Sequence, residues 1–183
     1  MPTLLTEQDF RGEINIPGTE RKDTCEELCR FIAMHEPGFM RDALGSGFAA
    51  LAYQKAALNA GREDYWDLLL VGGTWIDTCS GIAVTRTLQG LKYCAARYVY
   101  YKMLKNNSSL TTVAGEVKPN TENATTVHAM DKMLSAWEDM RQELHHLWHF
   151  IRQYKVNDVN AFNTDGMESP KWHKFNYRNI YGL

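Results

Sequence analysis

The sequence predicts an all-α fold: a helical bundle with an inserted β-hairpin or extended loop at about residues 107–125 and an extended C-terminal arm. Three observations support this prediction. Apolar residues recur at helical spacing from about residue 19 to residue 154, a stretch rich in threonine, asparagine and glycine interrupts the pattern after Asn107, and the pattern stops again after Tyr154. A chain of 183 residues can bury a core as one domain, here 1–183. We expect the core at about 19–154 and the arm at 155–183.

The first part of the chain predicts a series of short helices. A helix that begins near Thr19 should end near Glu36, because Pro37 disfavours helical backbone in the residue before it. Three further helices are predicted by the segments EPGFMRDALG, GFAALAYQKAALNAG and EDYWDLLLVGGTWID, each of which contains a glycine that can end a helix. The pattern does not identify the secondary structure of residues 74–84.

Two longer helices are predicted in the second part. The helix at 86–106 has a wide apolar face with several tyrosines, which is typical of a central helix contacted from several sides. The helix at 127–154 has a core face made of Met130, Met133, Leu134, Trp137, Leu144, Trp148 and Ile151. Between them, SLTTVAGEVKPN has β-branched residues around Gly115, which favours a hairpin or extended segment. Connections of this length are usually functional or disordered.

Composition excludes several function classes. The net charge is −2, with 20 Lys and Arg against 22 Asp and Glu, and gives no indication of a nucleic-acid or anionic-membrane partner. No uncharged stretch is long enough to cross a bilayer, and the first residues lack the apolar core of a secretory signal, so we expect a protein kept in a cytosol-like compartment. The four cysteines are too few for a disulfide scaffold and are predicted to pack as small apolar residues in helix cores.

One set of side chains is a candidate metal site. His145 and His149 lie four residues apart on a predicted helix, and Cys25 and Cys29 have the same spacing on another. If the two faces met, the four side chains could form a Cys2His2 site. The histidines lack the HExxH order of a metalloprotease, and no serine lies in a nucleophile elbow. We therefore expect no catalytic residue and no cofactor, and a protein that is not an enzyme. A metal-binding helical domain or enzyme that uses these four residues is the alternative.

An ordered set of motifs resembles a known family. The motifs are EPGFMRDALG (36–45), LLVGGTW (69–75), LQGLKYCAARYVYYKMLKN (88–106) and TTVAGEV (111–117). In this order they resemble the head–tail connector proteins of tailed bacteriophages, which are the adaptor or head-completion proteins of the neck. The resemblance covers roughly residues 20–150.

The resemblance implies a structural virion protein, made in the host cytoplasm, that joins the portal protein to the tail or to other neck proteins. Such proteins are small helical bundles that form a homo-oligomeric ring, typically of twelve copies, beneath the portal. Genomic DNA would pass through the ring without sequence-specific binding, and no membrane would be involved. Another structural role in the phage particle, such as a tail terminator, is a further alternative.

The resemblance also assigns interfaces. The segment 107–125 would pack against a neighbouring subunit or project into the channel, and the arm would insert into the portal or the adjacent subunit. The expected interface residues are Thr111, Thr112, Val113, Gly115 and Val117 in the loop and Trp172, Phe175, Tyr177 and Tyr181 in the arm. Aromatic side chains of this kind are common anchors in interfaces.

Overall fold

The structure, a computed structural model, describes residues 3–10, 12, 14, 16, 21–58, 61–79, 81–107, 110–112, 115–117, 129–157 and 159–162. These residues are mostly helical, as predicted, and include small two-stranded antiparallel sheets. The helices are α1 (Lys22–Leu44), α2 (Ser46–Ala56), α3 (Asp64–Leu70), α4 (Leu91–Asn107) and α5 (Ala129–Gln153), preceded by a 3-10 turn at Glu7–Phe10. The paired strands are β1 (Gly73–Asp77) with β2 (Val84–Leu88), β3 (Leu110–Thr112) with β4 (Gly115–Val117), and β5 (Lys155–Val156) with β6 (Val159–Asn160).

Helix α4 is the central element, as its wide apolar face predicts. It packs mainly along α5 and α1 and also contacts α3 and the 3-10 turn. Its buried residues are Leu91, Cys94, Ala95, Ala96, Arg97, Val99, Tyr100, Tyr101 and Met103. The facing side of α5 buries Trp137, Leu144 and Ile151 as predicted, together with Met140, whereas Leu134 is 37% exposed and is not a core residue. Burial of apolar area at about 25 cal/mol per Å² makes the α4–α5 and α4–α1 contacts a main source of stability.

Helix α1 continues through Pro37, so the predicted break at Glu36 is wrong. Proline in a helix interior has no N–H for the preceding turn and costs stability. Here that cost is offset by tertiary contacts, because Glu36, Phe39 and Met40 are all buried on the side of α1 that faces the core. The helix ends at Leu44, and Gly45 follows with a φ of 79°, as the glycine at this position predicts.

Residues 74–84, whose secondary structure the sequence pattern did not identify, contain most of the hairpin of β1 and β2. The two strands pair in register from Gly73 opposite Leu88 to Asp77 opposite Val84. Alternate residues of a strand face opposite sides, so Trp75 is buried towards α5 while Ile76 is 63% exposed. The helix predicted from residue 86 therefore begins later, at the start of α4, because residues 84–88 belong to β2.

The hydrophobic core extends beyond the predicted limits of 19–154. Leu4, Leu5 and Phe10 from the N-terminal segment are buried in the same cluster as the helices. After α5, the chain turns back through β5 and β6, and Phe162 packs edge-on against Tyr65 and other aromatic rings. The predicted arm at 155–183 thus contains Phe162, which belongs to the core, and Ala161, which packs against it.

Candidate functional site

A polar cluster joins the β1–β2 hairpin to α5. At its centre is Asp77, the last residue of β1, whose side chain is 5% exposed. Its Oδ2 accepts a hydrogen bond from Nε of Arg86 at 2.6 Å and lies 2.7 Å from Nε2 of His149 on α5. Its Oδ1 accepts the backbone N–H of Cys79 at 3.0 Å. One buried carboxylate therefore fixes the turn after β1, the facing strand and the helix.

The strand pattern explains why Asp77 reaches α5. Trp75 and Asp77 lie two residues apart on β1 and so face the same side. The Trp75 ring packs against His149 with ring centroids 5.9 Å apart and meets Phe150 edge-on at 5.2 Å. These aromatic contacts hold the hairpin against the helix, so that the Asp77 carboxylate and the His149 imidazole meet at the rim of the core.

The carboxylate of this cluster is ionised and its thiol is protonated at neutral pH. The hydrogen bond with His149, followed by the N–H of Cys79, holds the pKa of Asp77 well below its ordinary value of 3.8. Asp77 in turn raises the pKa of the exposed Cys79, whose Sγ also lies 3.0 Å from Oε1 of Gln153. A thiol with a raised pKa is a poor nucleophile. The cluster is therefore better suited to binding than to nucleophilic catalysis.

The structure does not bring together the predicted Cys2His2 set. Ligand atoms of Cys25 and Cys29 cluster with Glu7, all within 4.8 Å of one another. His149 belongs instead to the Asp77 cluster, and among the described residues His145 belongs to neither group. The four residues of the alternative metal site, Cys25, Cys29, His145 and His149, therefore do not form one group among the described residues. Helical spacing places each pair on one face but does not determine which faces meet.

The cysteines are less buried than predicted. Cys94 is buried in α4, but Cys29 and Cys79 are exposed and Cys25 is partly buried. The Cys25 thiol donates a hydrogen bond to Oε2 of Glu7 at 3.3 Å, and this bond, with partial desolvation, raises its pKa to about 11. The core prediction holds for Cys94 only.

Three members of the polar cluster, Asp77, Cys79 and Arg86, were not predicted from the sequence. A signal for them was present: TWID and VTRTL are rich in β-branched residues and are separated by a stretch containing glycine, which is the pattern of a hairpin. The helix predicted from EDYWDLLLVGGTWID was expected to stop at Gly72 and Gly73, and α3 does end just before them, at Leu70. The strand β1 that follows was missed because the pattern did not identify the secondary structure of residues 74–84.

The predicted loop interface lies partly in described residues. Thr111 and Thr112 lie in β3, and Gly115 and Val117 lie in β4, in a hairpin inserted between α4 and α5. Val113 lies outside the described residues, as do the arm residues Trp172, Phe175, Tyr177 and Tyr181. The hairpin itself is as the sequence predicts.

Two clefts lie beside the N-terminal segment. The larger cleft has a volume of about 440 Å³ and is lined in part by Arg97. The smaller cleft has a volume of about 350 Å³ and is lined in part by Arg62. Lys92 lines both clefts. The guanidinium groups already have carboxylate partners, since Arg97 Nε lies 3.4 Å from Asp139 and Arg62 pairs with Asp67. Their charge is therefore largely compensated within the protein.

Glu36 is a second buried carboxylate, and it fastens the N-terminal segment to α1. Its oxygens accept the backbone N–H groups of Leu4 at 2.7 Å and Leu5 at 3.0 Å and the hydroxyl of Tyr53 at 2.9 Å. Burial raises the pKa of Glu36 above its ordinary value of 4.5, while these three hydrogen bonds oppose the rise. The folded chain therefore retains the proton at pH values where the unfolded chain has released it.

The higher pKa of Glu36 in the folded chain than in the unfolded chain predicts a specific pH dependence of stability. The stability that protonated Glu36 contributes is complete below about pH 4.5 and is lost as pH rises through the higher pKa of the folded state. In urea titrations from pH 4 to pH 7, we expect the free energy of unfolding of the wild type, relative to that of Glu36→Gln, to fall as pH rises. A difference that stays constant or grows over this range would contradict the assignment.

No family model matches the chain, and neither a curated protein nor a solved structure matches it. Among the described helices, none is both long enough and apolar enough to cross a membrane.

Proposed function

We propose that this chain is a structural, non-enzymatic virion protein of the head–tail connector class. It would be a helical bundle that forms a homo-oligomeric ring at the phage neck and joins the portal to the tail or to other neck proteins. The observation that carries the proposal is the hairpin of β3 and β4, inserted between the tightly packed helices α4 and α5. The ordered motifs at residues 36–117 support the same class.

The hairpin supports an interaction between chains because it is too small to be stable alone. β3 and β4 have three residues each, and among the described strands they pair only with each other. A lone two-stranded hairpin is marginally stable in water, and its outer edges present backbone groups ready for another strand. Addition of a strand from a neighbouring copy would supply these partners. In a closed ring, each hairpin would use one edge for each neighbour.

The register identifies which backbone groups would make these bonds. Two residues separate Thr112 from its partner Gly115, and a connection of this length is closed by a hydrogen-bonded pair. The next pair, Thr111 and Glu116, then directs its N–H and C=O groups towards the outer edges. The edge of β4 would therefore present the N–H of Glu116 to the neighbouring copy.

An exposed sheet face elsewhere in the chain also supports an assembly role. On the hairpin of β1 and β2, Thr74 pairs with Thr87 and Ile76 with Thr85, and all four side chains are exposed. Ile76 is 63% exposed, and Ile82 near the turn is 70% exposed. Exposed aliphatic side chains beside threonines can form the apolar centre of a protein interface.

A proline substitution tests the hairpin interface. Glu116→Pro removes one outward N–H but leaves the hydrogen-bonded pairs within the hairpin, because proline is tolerated at strand edges. Loss of a bond worth about 1 kcal/mol weakens each contact about fivefold, and the effect multiplies around a closed ring. We expect Glu116→Pro to keep its helical circular dichroism but to lose ring formation on the purified portal of the same phage. The matched control is Glu116→Ala, which keeps the N–H and should form rings. Equal ring formation by both variants would contradict the proposed edge pairing.

The position of the chain in the particle tests the function itself. Cryo-electron microscopy of the virion from which the chain comes should place a ring of this protein at the tail-facing end of the portal. The proposed arm anchors Trp172, Phe175, Tyr177 and Tyr181 should then contact the portal or a neighbouring copy. Density elsewhere in the head or tail would retain a structural role and exclude the connector role, and absence from the particle would overturn the proposal.

A further inference from the structure

We propose that Asp77, Cys79 and His149 form a binding site for a divalent transition-metal ion, with Zn²⁺ as the expected occupant. One ligand atom from each side chain lies within 4.8 Å of the other two. The three residues come from the end of β1, the turn that follows it, and α5. The candidate site indicated by the sequence pattern shares only His149 with this one, and Asp77 and Cys79 are new. The proposed site is independent of the proposed role in assembly.

The three ligand atoms are close enough to one another to share a zinc ion. Zinc binds sulfur at about 2.3 Å and nitrogen or oxygen at about 2.0–2.2 Å, so ligand atoms in such a site lie about 3.3–3.8 Å apart. The ligand atoms of this cluster lie within 4.8 Å of one another, so one ion can contact all three once the side chains adjust around it. The contact between Asp77 and His149, at 2.7 Å, must lengthen, because an ion placed between the two groups would replace the hydrogen they share.

The donor set and the charge also favour a divalent ion. Imidazole nitrogen, thiolate sulfur and carboxylate oxygen are the three kinds of protein ligand that zinc uses. An ionised Asp77 and a thiolate at Cys79 supply two negative charges that match the charge of the ion. Three protein ligands leave a fourth position for water, and the position is reachable because Cys79 is exposed and the His149 side chain is 37% exposed.

The surroundings already hold the first ligands in place. The N–H of Cys79 donates to Oδ1 of Asp77, and Trp75 packs beside the imidazole of His149. Arg86 bonds to Oδ2 of Asp77 at 2.6 Å, and its half-exposed side chain can turn to solvent or keep its bond to the carboxylate when the ion binds. Supporting contacts of this kind orient metal ligands and raise affinity.

The binding step releases the proton of the Cys79 thiol. The thiol loses its hydrogen to buffer and the sulfur forms a bond to the ion. The hydrogen between His149 Nε2 and Asp77 passes to solvent, so that Nε2 binds the ion while Nδ1 carries the one hydrogen of the neutral imidazole, and Asp77 binds as the carboxylate it already is. No electron is transferred. The heat of binding should therefore depend on the ionisation enthalpy of the buffer, because binding releases the thiol proton.

The cluster of Glu7, Cys25 and Cys29 is the competing location. Its two thiols and carboxylate would place three negative charges around a divalent ion, and it lacks a histidine. The two locations use different cysteines, so single substitutions separate them without disturbing the core.

The test is titration of the reduced, full-length chain with Zn²⁺ by calorimetry, and with Co²⁺ by absorption spectroscopy. We expect one ion per chain, a thiolate-to-cobalt charge-transfer band, and a rise in Tm when zinc is present. Cys79→Ser and His149→Gln should each weaken zinc binding by about tenfold or more, and Cys79→Ser should abolish the charge-transfer band. Both residues are at least partly exposed, so their variants should fold, which circular dichroism verifies.

Two control variants locate the ion. His145→Gln removes the histidine one turn before His149, and Cys29→Ser removes a thiol of the competing cluster. Both should bind zinc as the wild type does. Absence of binding by the wild type would overturn the proposal, as would binding that persists in Cys79→Ser or is lost in Cys29→Ser. None of these measurements involves the ring, so the outcome is separate from that of the proposed function.

Discussion

Replacement of Glu36 by alanine is expected to lower the free energy of unfolding by about 3 kcal/mol or more. Three donors lose their acceptor in this variant: the backbone N–H groups of Leu4 and Leu5 and the hydroxyl of Tyr53. A buried donor without a partner costs about 1–3 kcal/mol. The measurement is urea denaturation followed by circular dichroism at neutral pH, together with amide hydrogen exchange at Leu4 and Leu5, which should become faster.

Tyr53→Phe is the matched control for this prediction. It removes one of the three hydrogen bonds and keeps the ring, so it should cost about 1 kcal/mol. If Glu36→Ala costs no more than Tyr53→Phe, the carboxylate does not fasten the N-terminal segment. Unchanged exchange at Leu4 and Leu5 would lead to the same conclusion.

Gly90→Ala is expected to have an effect of similar size for a steric reason. Gly90 precedes α4 with a φ of +91°, and an added Cβ would lie 2.6 Å from the backbone N of Gly72 and 2.6 Å from the carbonyl carbon of Val71. The left-handed conformation costs about 1–2 kcal/mol for alanine, and backbone overlap adds about 1–3 kcal/mol. We expect a loss of about 3 kcal/mol in the free energy of unfolding, measured by urea denaturation.

The chain contains a control position at which only the cost of the left-handed conformation applies. Gly61 has a φ of +75°, and an added Cβ there would have no atom within 4 Å. Gly61→Ala should therefore cost about 1 kcal/mol. Equal losses for Gly61→Ala and Gly90→Ala would show that the close approach of the backbone around Gly72 and Gly90 does not occur in solution.

Much of the helical structure could be predicted from the sequence because it depends on local patterns. The apolar face of α5 and the stop at Gly45 follow from periodicity and from the backbone freedom of glycine. The continuous α1 could not be predicted, because Pro37 is tolerated only through long-range contacts of its neighbours, above all the hydrogen bonds that Glu36 makes with Leu4 and Tyr53. Local propensity gives no information about contacts of that kind.

The polar cluster was predicted least well, for the same physical reason. His149 was recognised as a candidate ligand, but its partners Asp77 and Cys79 lie more than sixty residues away in the chain. Their meeting depends on how β1 packs against α5, which is fixed by Trp75 among the aromatic rings of the core. Spacing within one helix indicated Cys25 and Cys29 as partners instead, and the fold places those residues beside Glu7.

The extent of the core has a consequence for synthesis on the ribosome. Leu4 is made before the described helices and Phe162 after them, yet both belong to one buried cluster. At synthesis rates of 5–20 residues per second, roughly 10–30 s separate the two events. Until Phe162 has emerged, rings such as those of Phe48 and Trp66 lack one of their covering partners. This core is therefore completed only after α5 and Phe162 have been made, and a pause within α5 would prolong the exposure of an unfinished core.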